Sequence, residues 1–184
     1  MRERDASRRR PIVRSIALVC TIADVEALLS RVDRDGGMLL FAVDGKTDAF
    51  AVFECDPGAY RRREGAGGWV AGTNHRLRAD GEGAPAEPLT SSQRRYRRLE
   101  ALARRLCEST GAVEVPRDLI RLLADPGVEV RGEEYGTVYA NVACPSQGVV
   151  WYTFGGYPAA STGKWRRWPW PWGRGGRRDR SPLT

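Results

Sequence analysis

The sequence predicts an α+β fold with antiparallel sheet flanked by helices. Three observations carry the prediction. Apolar runs are paired across turn residues, helix-start signals precede amphipathic stretches, and the elements run helix–helix, four strands, helix–helix, two strands.

The elements follow in order. Residues 1–10 read as a disordered basic leader with little apolar content to order it. Ile12, Val13, Ile16, Ala17 and Val19 read as a short buried helix. Thr21 is an N-cap, with Asp24 three positions on as a capping-box partner. Val25, Leu28, Leu29 and Val32 give a second helix its apolar face, and Asp35-Gly36-Gly37 breaks it. Met38–Val43 and Ala49–Glu54 are strands joined through Asp44-Gly45-Lys46, because Asp-Gly between apolar runs favours a hairpin. Ala59–Arg63 and Gly68–Gly72 read as third and fourth strands of the same meander. Phe41, Val43, Phe50, Val52 and Phe53 are its expected core. Residues 77–90 are a Gly/Pro/Ala-rich loop.

Ser92 to Cys107 reads as a helix with Tyr96, Leu99, Leu102, Ala103 and Leu106 in one stripe and arginines elsewhere. A second helix runs from Val115-Pro116-Arg117-Asp118 to Leu123 and is stopped by Asp125-Pro126-Gly127. Thr137–Ala143 and Val149–Phe154 form another hairpin through residues 145–148. From Tyr157 onward the chain reads as irregular. This divides it into a leader (1–10), a domain (11–163) and a Trp/Arg/Pro-rich tail (164–184).

The net charge of +7 invites a nucleic-acid reading, but its distribution argues against a specific one. The leader holds five Arg against Glu3 and Asp5, and the tail seven Lys/Arg against Asp179. Residues 11–163 are therefore slightly negative. Cys20, Cys55, Cys107 and Cys144 have no metal-ligand spacing, and His75 is the single histidine, so neither a metal nor a cofactor is expected. No apolar run approaches the roughly 18 residues of a membrane span, and the charged N-terminus is unlike a signal peptide. A cytoplasmic protein with reduced thiols is the expectation.

Two segments carry candidate chemistry. Thr73-Asn74-His75 ends an apolar stretch, and Ser92-Gln93-Arg94-Arg95-Tyr96 opens the basic helix. An amide such as Asn74 can donate to a developing oxyanion, and a guanidinium such as Arg95 can clamp a carbonyl or carboxylate. His75 and Ser92 stand beside them as substrate contacts; their bland alternatives are a satisfied polar residue at a pocket rim and an N-cap. Asn74 itself could be only a turn residue.

Ala71-Gly72-Thr73-Asn74-His75 resembles the Thr-Asn-His segment of the acyl-coenzyme A:6-aminopenicillanic acid acyltransferase-like hydrolases, peptidase family C45. Ser92-Gln93-Arg94-Arg95-Tyr96 with Leu99 is similar to their Ser-x-x-Arg helix start. Thr137-Val138-Tyr139-Ala140-Asn141-Val142 with Val150-Trp151-Tyr152 resembles their last hairpin, and Asp44-Gly45 to Val52–Glu54 their central one. The resemblance covers about residues 11–172 and extends to the linear-amide hydrolases, including choloylglycine hydrolases. It implies an N-terminal-nucleophile fold, an αββα sandwich of antiparallel sheets between helices. It also implies a Cys freed by self-cleavage, whose thiol attacks an amide or acyl carbonyl with its own α-amine as base. Asn74 is then the oxyanion-hole amide and Arg95 the supporting guanidinium.

The departure from the family lies in the nucleophile. In the family that Cys lies upstream of the segment resembling residues 11–32. Cys20-Thr21 mimics its start, yet the following residues continue as a helix, where the family has a strand. The expectation is therefore a C-terminal, partial sandwich: a truncated, processed or split hydrolase or acyltransferase, inactive alone. Its partners would be a small amide or acyl substrate and a companion chain carrying an N-terminal Cys. Two alternatives stand beside it. One is a non-catalytic acyl- or peptide-binding remnant. The other is an adaptor using its basic tail on membrane or nucleic acid, although packing of Trp165 and Trp168 onto the sheet is favoured.

Overall fold

The computed structural model describes residues 21–77, 88–109 and 111–169. The expected first helix with Cys20, the leader, most of the 77–90 loop and the chain beyond 169 lie outside them. The fold is α+β, with two antiparallel three-stranded sheets and four α-helices among the described residues. The chain divides into two compact units, residues 1–85 and 86–184.

In the first unit, α1 (Ile22–Leu29) starts as expected. Asp24 N–H donates to Thr21 Oγ1 at 3.1 Å and Thr21 N–H to Asp24 Oδ2 at 2.9 Å. This reciprocal bonding satisfies donors that a helix start leaves open. The sheet runs β1 (Met38–Asp44), β2 (Ala49–Asp56), β3 (Ala59–Glu64), in that spatial order. Asp44 closes β1 by accepting from Lys46 N–H at 2.9 Å and Thr47 Oγ1–H at 3.0 Å. Its carboxyl is held below the usual range, first by the Lys46 backbone bond and then by Thr47.

One face of this sheet packs on α1. Ile22 and Leu29 meet Ala51, Phe53 and Cys55, and Phe53 stands edge-on to Tyr60 at 5.9 Å. Arg34 is buried and fastens the helix end to the sheet. It donates to Leu29 O and Val32 O at 2.6 and 2.9 Å, and to Asp56 O and Ala59 O at 2.9 Å each. On the opposite face Val52 is fully buried, but Phe41 and Val43 are 51 % and 62 % exposed. Those two expected core residues are thus surface residues. Both faces of β1 are apolar in sequence, and only the face of Leu40 and Ala42 meets the helix.

The expected fourth strand, Gly68–Gly72, does not form. The chain reverses through Gly67 and Gly68, both at positive φ, and makes only an isolated bridge between Ala66 and Trp69. It then crosses the open face, where a Cβ on Gly72 would stand 2.7 Å from the Phe41 ring. There the Ala71 carbonyl is taken up by Arg63 of the sheet rather than by a strand.

In the second unit, α2 (Ser91–Glu108) is capped by Thr90 with Gln93 in a capping box, so Ser92 lies inside the helix and is not its N-cap. α3 (Arg117–Leu123) follows as expected. Arg98 on α2 holds Asp125 in a two-pronged pair, Nε–Oδ1 2.9 Å and Nη2–Oδ2 2.6 Å. The sheet runs β4 (Tyr139–Cys144), β5 (Val149–Phe154), β6 (Arg166–Pro169). The segment expected to be irregular instead makes α4 (Ala159–Thr162) and the edge strand β6. Glu129 Oε1 accepts from Ala160 and Ser161 N–H at 2.7 and 3.1 Å, which holds the start of α4. Trp165 Nε1–H donates to Ala160 O of α4 at 3.0 Å, whereas Trp168, expected to pack on the sheet, lies in β6 and is 53 % exposed.

Candidate functional site

Asn74 and His75 sit in the first unit, Ser92 and Arg95 in the second. Asn74 is exposed between half-buried Thr73 and His75. Thr73 Oγ1 and His75 Nδ1 share a 3.0 Å hydrogen bond, so the two flanking side chains close over the backbone of Asn74. Ser92 and Arg95 are half-buried and lie one turn apart on α2, at a spacing that places them on one helix face. Arg94, Arg97, Arg104 and Arg105 are exposed, as a solvated face requires.

The surroundings of Asn74 hold residues the motif search passed over. Strand alternation puts Glu54 and Asp56 of β2 on the same face as Arg61 and Arg63 of β3, since Glu54 pairs with Arg61 and Val52 with Arg63. Glu54 is 4 % exposed. Its Oε1 accepts from Arg63 Nε–H at 2.6 Å and from Leu77 N–H at 3.1 Å. Arg63 also donates from Nη2 to Ala71 O at 3.0 Å, and Arg61 from Nη1 to Leu77 O at 2.6 Å. Arg76 grips Asp56 through both Nη groups. Four side chains of one sheet face therefore hold Ala71, Arg76 and Leu77, on either side of Thr73-Asn74-His75. The signal was present in the sequence as opposite charges at matching parity on two paired strands, immediately before the motif.

The thiols divide by environment. Cys55 is fully buried, and burial, above all, pushes its thiol pKa up, away from the thiolate that attacks carbonyls. Cys107 is exposed at the end of α2, and Cys144 is half-buried. Among the described residues no cluster of His, Cys, Asp or Glu could hold a metal ion, and no helix is long and apolar enough to cross a membrane.

No protein-family model matches the chain, and no curated protein or solved structure matches it.

Proposed function

We propose that this chain is the C-terminal part of a C45-like amide hydrolase or acyltransferase, supplying the oxyanion amide and the substrate clamp. The nucleophile in this reading is an N-terminal Cys on a companion segment. The single observation that carries it is that helices pack on one face only of each sheet. In the first unit α1 covers the Phe53 face; on the other face the 68–77 segment covers Val52 and Glu54 and leaves Phe41 and Val43 exposed. In the second, β4 and β5 turn Val142, Val149 and Thr153 inward, where α4 contacts both strands and α3 contacts β4. Their other face leaves Tyr139, Tyr152, Phe154 and Trp168 open at 63 %, 39 %, 64 % and 53 % exposure. A layer with helices on one side and partly exposed aromatics on the other is what each half of an αββα sandwich presents. The partial sandwich belongs to this reading.

Asn74 donates to the oxyanion of the tetrahedral intermediate, Arg95 supports the site, and His75 and Ser92 contact substrate. The test is the endogenous protein, isolated with whatever co-purifies and weighed intact. A longer polypeptide, or a companion chain starting with Cys, allows the amide hydrolase to be assayed. In that enzyme Asn74→Ala should lower kcat by roughly 10² to 10³, the usual loss for one oxyanion donor. A lone species of 20.4 kDa without amidase activity would overturn the reading and leave a binding remnant.

A further inference from the structure

We infer that Glu54 and Arg63 are positioning residues for Asn74. The inference rests on the reading of Asn74 as oxyanion donor. An oxyanion donor works only if its placement is fixed before the charge develops, because reorganising dipoles during the reaction consumes the stabilisation they offer. Asn74 lies outside any strand, so no ladder fixes it. Among the side chains that hold its flanks, the Glu54–Arg63 ion pair is buried and spans both sides. Arg63 and Glu54 have side chains only 12 % and 4 % exposed. The pair reaches both legs of the segment at once: Arg63 takes Ala71 O three residues before Asn74, and Glu54 takes Leu77 N–H three residues after it. Each partner has a second task besides the other's charge, so a shift of either removes one backbone contact on a leg: Arg63 the Ala71 carbonyl, Glu54 the Leu77 N–H.

The fork geometry is essential. Guanidinium Nε and Nη2 point in fixed directions, one to the carboxylate and one to the carbonyl. A lysine keeps the charge but has one ammonium, and cannot hold both partners in that plane. Glu54→Gln keeps an oxygen for Leu77 N–H and for Arg63, and loses only the charge. Glu54→Ala loses both and strands the guanidinium.

The experiment is amide hydrogen exchange by NMR on the full chain, with wild type compared to Arg63→Lys, Glu54→Gln and Glu54→Ala. Protection of the Leu77 amide should fall about ten- to a hundred-fold in Glu54→Ala, the size expected for losing a bond to a charged acceptor. Glu54→Gln should recover part of that loss. Arg63→Lys should sharpen and shift the Asn74 side-chain amide signals while Val52 and Phe53 keep wild-type protection. Unchanged Leu77 protection and Asn74 signals in Arg63→Lys and Glu54→Ala, with the sheet intact, overturn the positioning role. They leave Asn74 as donor untouched. A loosened segment in an enzyme whose kcat is indifferent to Arg63→Lys, yet collapses in Asn74→Ala, overturns it as well. If Asn74→Ala itself is silent in kcat, it is the donor reading that falls, and the exchange data still report whether the pair holds the segment.

Discussion

At the scale of the residue, several carboxyls are held in their charged form by short-range turns and by one helix-to-loop pair. The Asp125 carboxyl is held below its usual range, first by the Arg98 hydrogen bond and in smaller part by the Gly127 N–H. Asp118 is lowered chiefly by the Glu114 N–H. A depressed folded pKa means the native state binds its proton less readily than the unfolded chain. The stabilisation is therefore complete above the unfolded Asp value of about 3.9 and is lost as pH falls through the lower folded value. Asp125→Asn should be less stable than wild type at neutral pH and should lose less on acidification below about pH 4. Denaturation midpoints taken across that range check it; parallel acid limbs would refute it. The four candidate residues were legible one by one, because amide, guanidinium, imidazole and hydroxyl announce their chemistry. Glu54 and Arg63 were legible only as opposite charges at matching parity on paired strands; their backbone partners, Ala71 O and Leu77 N–H, are atoms that sequence does not label.

Helices and hairpins were legible where their determinants are local. The Thr21 capping box and the first hairpin have determinants within three positions of each other; the box forms as read, and the hairpin forms with Asp44 as the last residue of β1, paired with Ala49, rather than inside the turn. The second capping box went unread because Ser92 drew attention from Thr90. Thr90→Ala should cost about 1 kcal/mol through loss of the bond to Gln93 N–H, measured as a shift in the urea midpoint; Ser92→Ala should cost less. The fourth strand was misread because Gly68–Gly72 has strand-like composition, whereas its backbone partners are distant side chains. β6 was missed for the reverse reason. A Trp/Arg/Pro run reads as a tail, and only its register with β5, Tyr152 opposite Arg166 and Val150 opposite Trp168, makes it a strand.

For the molecule as a whole, two units each carry a core, and each core was only half visible in advance. Apolar alternation identified the strands but not which of two apolar faces a helix would cover, so Phe53 was placed correctly and Phe41 was not. Phe53→Ala should destabilise by about 3–5 kcal/mol, a large share of a typical domain's 5–15. Hydrogen exchange resolves its reach: protection should fall across β1–β3, and an equal fall across β4–β6 would show one cooperative unit rather than two. The joint made by Arg34 has a further consequence. All four of its acceptors are backbone oxygens, so it recognises the path of the chain and not the side chains at Leu29, Val32, Asp56 and Ala59. A change of side chain at any of those four positions leaves the joint's acceptor in place, while even lysine in place of Arg34 would undo it.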